Sequence, residues 1–219
     1  MLKRKIDDYL KRYYETTNRA FLVAGARQIG KTYSIREFGK SFKSFVEINF
    51  VENPEAVEAF KGAKNSADVL FRLSAMTSVP LAKGETLVFF DEVQECPEIV
   101  TAIKFLVDEG SYRYILSGSL LGVELNDLRS EPVGYMGVKD MYPMDFEEFV
   151  ASVGVGAHII EVLRKAWEER MPVDDFIHLR LMELFRLYLV VGGMPAAVSK
   201  YVDANGNGRS EGHRQPLQA

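Results

Sequence analysis

A chain of 219 residues, 47% of them apolar, can bury one sizeable core plus an appendage, which excludes a small scaffold dependent on staples. A formal charge of -4 argues against a nucleic-acid surface spread over the whole chain, and the single cysteine, Cys96, excludes an intramolecular disulfide and a CxxC metal site. No stretch approaches the roughly 18 uninterrupted apolar residues of a membrane span, and the start MLKRKIDDYLKRYYE has positive charge without a following apolar region, so the chain reads as cytoplasmic.

In chain order, Leu2, Ile6, Tyr9, Leu10, Tyr13 and Tyr14 recur at helical spacing with basic residues between them, predicting an amphipathic first helix. Core docking is the expected use of such a helix, with lipid binding as the alternative. Ala20 to Ala24 is a short apolar run fit for a buried strand, and Thr32 to Lys40 can follow as a helix. Phe45 to Asn49 reads as a second strand, after which Asn53 and Pro54 start a helix as cap and first residue. Another helix begins at Ser66, with Val69, Leu70, Leu73 and Met76 on one side. Thr86 to Phe90 is the third strand and runs into Asp91 and Glu92.

Pro97 opens a helix carrying Ile99, Ile103, Leu106 and Val107 in one stripe, and Gly110 stops it. Tyr112 to Leu116 is the fourth strand, ending in Ser117, Gly118 and Ser119, and Val133 to Met141 can form a fifth. Asp145 then caps a helix, with Glu148 at its third position and Met144 facing Phe149 as a hydrophobic staple. A long stripe of Ile177, Leu181, Leu184, Tyr188 and Val191 is stopped by Gly192, Gly193 and Pro195. The alternation of strands and helices predicts an α/β fold with a parallel sheet covered on both faces. The expected organisation is a core at 1–150, a helical extension at 151–201 and a disordered tail at 202–219, where apolar residues become few and periodicity stops.

The most informative stretch is Gly25 to Thr32, GARQIGKT, which fits GxxxxGKT and lies between the first strand and the following helix. Glycines allow the backbone to wrap a polyphosphate with its N–H groups inward, and the helix N-terminus adds positive potential. Lys31 would reach the terminal phosphates, and the Thr32 hydroxyl can ligate Mg²⁺. The competing reading, a Gly-rich turn capping a helix, is disfavoured by a context of strand before and helix after the loop. The second element is LVFFDEVQ, an apolar strand that delivers two acids at its C-terminal end, where open α/β sheets bind ligands. Asp91 would hold Mg²⁺ directly or through water, and Glu92 would polarise a water for in-line attack on the γ phosphate. Alone, such an acidic pair would be a helix cap or solvated turn; the phosphate loop upstream favours catalysis.

Ser117 ends a strand that such folds place between the loop strand and the acidic strand. It could bond the γ phosphate or the attacking water, or merely cap local backbone, and Ser119 is the fallback. The guanine-reading NKxD is missing from the sequence, so GTP is not the first expectation. A small-molecule kinase is disfavoured because it must exclude the water that Glu92 would recruit. His158, His178 and His213 have no metal-binding spacing.

Taken together, GARQIGKT, FFDEVQECPEI, ILSGS, YPMDFEEF and VGGMP resemble the bacterial and archaeal AAA-like P-loop ATPases that usually carry a C-terminal domain of unknown function. The resemblance covers about Met1 to Lys200. It implies a core in strand order 5-1-4-3-2, ATP with Mg²⁺ as ligands, and a phosphate site lined by Arg27 and Gln28. The nucleotide-binding set is then Gly25, Ala26, Arg27, Gln28, Ile29, Gly30, Lys31, Thr32 and Tyr33, with Thr32 and Asp91 for the metal and Glu92, Lys31 and Ser117 for catalysis. VGGMP would mark the junction with the C-terminal region. Members of the family continue well past that motif, whereas this chain ends in NGNGRSEGHRQPLQA, as a truncated or frame-shifted product would. Such ATPases commonly borrow an arginine from a neighbouring subunit, for which Arg129 and Arg72 are candidates beside the simpler reading of surface ion pairs. Two functions remain open. One is an ATPase hydrolysing ATP to ADP to drive a conformational change. The other is a nucleotide-gated interaction protein with negligible turnover, acting with a homo-oligomeric or unidentified protein partner and without nucleic acid.

Overall fold

The computed structural model describes residues 2–63, 65–119 and 134–206. Contacts divide the chain into two compact units, Ile6–Tyr142 and Met1–Lys5 with Pro143–Ala219. By contacts, the segment from Pro143 packs with the C-terminal helices.

The larger unit is built on a five-stranded parallel sheet comprising β1 (Ala20–Ala24), β2 (Ser44–Asn49), β3 (Thr86–Asp91), β4 (Arg113–Gly118) and β5 (Met136–Asp140). Its order is β2-β3-β4-β1-β5, the expected 5-1-4-3-2 read from the opposite edge. β1 and β3 are buried along their whole length, as apolar strands in the interior of a parallel sheet must be, while β2 at the edge alternates buried and half-buried positions. The fifth strand is shorter than the sequence suggests, and Val133 lies outside the described residues.

Helices α1 (Lys5–Thr16), α2 (Lys31–Gly39), α3 (Pro54–Phe60), α4 (Ser66–Met76) and α5 (Pro97–Glu109) complete this part of the chain. The amphipathic α1 uses its apolar stripe for docking: Leu10 is buried, Tyr13 donates to the Ala20 carbonyl at 2.9 Å and Tyr14 to the Tyr114 carbonyl at 2.6 Å. Asn53 precedes α3 as expected, yet its side chain makes no capping bond, whereas Asn65 does cap α4 by accepting from the Asp68 N–H at 2.9 Å. Gly110 ends α5 in the left-handed conformation, its N–H on the Leu106 carbonyl. Cys96 sits in the apolar cluster to which β1, β2, β3, β4, α3, α4 and α5 contribute, and burial pushes its thiol up to about 11.

The second unit holds α6 (Phe146–Ser152), α7 (Ala157–Glu169), α8 (Asp175–Val191) and α9 (Pro195–Gly206). Asp145 and Glu148 form the expected capping box, and Glu148 also accepts from the buried Arg4 at 3.1 Å. The helix α9 runs to Gly206, past the point at Val202 where composition predicts loss of order. Val198 is fully buried against Met144, Phe149 and Leu184, and Val202 packs on the same cluster. The rest of that tail, 207–219, lies outside the described residues. Among the described residues no helix is long and apolar enough to cross a membrane.

The motifs YPMDFEEF and VGGMP meet in this unit. The Met144 N–H donates to the Gly193 carbonyl at 2.7 Å, Tyr188 donates to the Met144 carbonyl at 2.8 Å, and a Cβ at 193 would stand 2.3 Å from that carbonyl oxygen. Only glycine permits this backbone approach. Gly193→Ala is therefore expected to destabilise by about 1–3 kcal/mol, read as a lower urea midpoint with an unchanged slope. The buried Cys96 should resist alkylation at pH 7 in the native protein and react once the protein is unfolded.

Candidate functional site

Parallel register brings the site together. Phe90 pairs with Leu116 and Asn49 with Asp91, so Asp91 lies level with Ser117 on one side and beside Asn49 on the other. Val23 and Ala24 pair with Ser117 and Gly118, which sets the loop after β1 against the same strand ends. That loop begins at Gly25, whose N–H donates to the Gly118 carbonyl at 3.3 Å. A Cβ there would come within 2.3 Å of the Met141 carbonyl oxygen at a φ of 153°, so the position admits only glycine. Gln28 and Gly30 are left-handed, and α2 starts at Lys31.

Lys31 is 5% exposed, and its Nζ donates to the carbonyls of Gly25 and Ala26, each at 2.8 Å. The next residue, Thr32, donates from Oγ1 to Asp91 Oδ2 at 3.0 Å. Asp91 is 2% exposed and accepts three further bonds: from Asn49 Nδ2 at 3.2 Å, from the Glu92 N–H at 3.1 Å and from Ser117 Oγ. Beside this cluster opens a cleft of about 560 Å³ bordered by Arg27, Gln28, Lys31, Thr32, Tyr33 and Glu92.

A family model described as an AAA domain matches residues 17–150, more than half of the chain. The chain belongs to the AAA-domain family. Among solved structures, the Walker-type ATPase of Pyrococcus abyssi is similar to this AAA domain with a TM-score of 0.52 and 16% identity, over 95% of this chain and 69% of that one. AMPPCP-bound DnaA from Aquifex aeolicus gives 0.50 and 13%, over 94% and 63% respectively. At those identities the likeness concerns the fold. This chain thus spans about two thirds of the length of each. A search of curated proteins returned no match.

Of the residues that the sequence assigns to the site in this AAA domain, Gly25 and Ala26 receive the Lys31 ammonium on their carbonyls. Arg27, Gln28, Gly30, Lys31, Thr32, Tyr33 and Glu92 border the cleft. Asp91 lies beneath it, reached through Thr32. Ile29 is fully buried, so its side chain serves the core rather than the cleft. Neither use foreseen for Ser117 is what its hydroxyl does: it is fully buried and donates to the Asp91 carboxylate. Arg72 donates to the carbonyls of Ala59 and Lys61 and so closes the C-terminal end of α3, while Arg129 lies outside the described residues.

Two residues of the cluster were missed by sequence reasoning. Asn49 bonds Asp91 and also accepts from the N–H groups of Val51 and Glu52, at 2.9 and 3.0 Å. Gln94 donates to Glu92 Oε2 at 2.6 Å. The signal for Asn49 was its place at the C-terminal end of a strand, but its neighbour could be known only from the register.

Electrostatically, burial pushes the Lys31 ammonium down from its ordinary value, opposed by the negative charges of Glu92 and Asp91. Burial likewise raises the Asp91 carboxyl above 3.8, opposed by its bonds from Ser117 and Thr32. The donor set suits a small hard cation: a carboxylate and a hydroxyl oxygen 3.0 Å apart beside a phosphate-type loop. Among the described residues, no three His, Cys, Asp or Glu side chains converge on a metal position.

Because the folded-state value of Asp91 is raised, its contribution to stability is fully present below 3.8 and is lost as pH rises through the raised value. Asp91→Asn removes that loss. The difference in urea midpoint between the variant and wild type should therefore shift in the variant's favour as pH rises above 3.8, as measured by paired unfolding curves.

Proposed function

We propose that this AAA domain binds Mg·ATP in the cleft beside residues 25–33 and hydrolyses it to ADP and phosphate, using the cycle to drive a conformational change. One observation carries the reading: the Thr32–Asp91 bond joins the loop to the acidic strand, with Lys31 and Glu92 bordering the same cleft. The family adds nucleotide binding as the shared property.

In this reading the N–H groups of the loop and of the first turn of α2 receive the phosphates. Lys31 exchanges its carbonyl partners for phosphate oxygens and offsets their charge, and Arg27 and Gln28 line the same anion. A Mg²⁺ ion held by Thr32 and Asp91 would neutralise charge on the β and γ phosphates. Asn49 and Ser117 keep the Asp91 carboxylate oriented by donating to it. Glu92 accepts the proton of a water whose oxygen attacks the γ phosphorus in line, and ADP leaves.

The second reading is a nucleotide-gated interaction module with negligible turnover, acting on a protein partner or a further copy of itself. What favours it is Arg72, whose guanidinium is engaged at the end of α3 and so is not poised to act on a neighbour's nucleotide. An arginine supplied in trans can be worth ~10³ to 10⁵ in rate.

Phosphate release and direct ATP binding separate the two. Under the hydrolase reading Glu92→Gln lowers turnover by ~10² to 10⁴ and spares binding, whereas Lys31→Ala abolishes binding. Binding without release by the wild-type chain would replace the hydrolase reading with the module.

A further inference from the structure

We propose that Gln94 is the positioning residue for Glu92, tying the carboxylate to the end of β4. The inference rests on Glu92 as the hydrolytic base argued above. Glu92 leaves β3 in the left-handed conformation, φ 57° and ψ 49°, and turns the chain into a single 3₁₀ turn at Val93–Glu95. A non-glycine residue held there is uncommon and marks a position that the surroundings fix. The turn brings Gln94 back alongside Glu92, where Nε2 donates to Glu92 Oε2 at 2.6 Å. On its other side, Gln94 Oε1 accepts from the Ser119 N–H at 3.3 Å.

The chemistry of the two ends dictates the residue type. An ionised carboxylate can only accept and a backbone N–H can only donate, so the bridging side chain must offer both a donor and an acceptor. A primary amide does this, and the two partners also fix which way the amide faces. Glutamate at 94 keeps the length but loses the donor; leucine keeps the bulk and loses both groups. Tying one oxygen of Glu92 restrains the carboxylate while the second oxygen keeps its lone pairs for a proton.

The bridge gives both acids a tether to one strand end. Ser117, in β4, donates to Asp91, and Ser119, just beyond β4, reaches Glu92 through Gln94. β4 itself lies between β1, which leads into the phosphate loop, and β3, which carries the acids. Any shift of the end of β4 against β3 is therefore felt at Asp91 and Glu92 together.

The test is a double-mutant cycle of wild type, Gln94→Leu, Glu92→Gln and the pair, in steady-state turnover with γ-labelled ATP, with Gln94→Glu as the length-matched control. Gln94→Leu should lower kcat by up to ~10²-fold, the cost of misplacing a reacting group by about an ångström, and leave KM for Mg·ATP unchanged. Gln94→Glu should fail to restore it. On the Glu92→Gln background Gln94→Leu should cost nothing further, since Gln94 acts only through Glu92. A wild-type kcat in Gln94→Leu, an equal loss on both backgrounds, or a raised KM with kcat intact would overturn the proposal. Absence of turnover in wild type would overturn the base reading and the catalytic half of this proposal with it. The bridge is then read without turnover: Ser119 amide exchange should quicken in Gln94→Leu, and unchanged exchange would sink it.

Discussion

The arrangement of the site depends on one buried carboxylate. Asp91 is placed where a charge is expensive, and it is tolerated because four donors converge on it from β2, β4, the start of α2 and its own chain. Each donor belongs to a different part of the larger unit, so satisfying Asp91 aligns the edge strand β2, the central strand β4 and the phosphate loop around β3. Even so, the carboxyl is held above its ordinary value, because the bonds do not fully offset its burial.

Lys31 is the counterpart on the loop side. Its ammonium is occupied by two carbonyls of its own loop and held down by burial. An incoming polyphosphate would give it the stronger, charge-assisted partner. The loop and the acidic strand thus meet through the Thr32–Asp91 bond, with the Lys31 ammonium at the cleft and the Asp91 carboxylate beneath it. Glu92 differs in kind: it is half-buried, borders the cleft and is held by a neighbouring amide rather than by the core. Adjacent residues thus differ in setting, Asp91 being buried and held from the surrounding strands while Glu92 borders the cleft.

The remainder of the chain follows local rules more closely. Asp145 and Glu148 cap α6 reciprocally, Pro97 and Gly110 bracket α5, and the glycine pair after α8 ends that helix. Gly193 adds a tertiary reason that periodicity does not contain: its missing side chain lets the Met144 backbone approach. The extent of α9 shows the reverse limit. Composition after Val202 lacks a helical stripe, yet Val198 and Val202 pack on the cluster around Phe149 and the helix continues to Gly206.

The sequence by itself determined the strand and helix alternation, the phosphate loop, the acidic strand end and the strand order that the family resemblance implied. Apart from the strand order, which came with the resemblance, these are local signals, since hydrophobic periods, glycine spacing and caps act within a few residues of one another. Tertiary structure alone decided which side chains meet. The parallel register put Asn49 against Asp91, turned the Ser117 hydroxyl onto that carboxylate rather than toward the cleft, buried Ile29 beneath the loop, and set Arg72 to the end of α3. A turn of unusual handedness at Glu92 brought Gln94 between Glu92 and Ser119. Pairings between residues far apart in the chain depend on register and on backbone conformation at single positions, and a one-dimensional pattern of residue types does not encode either.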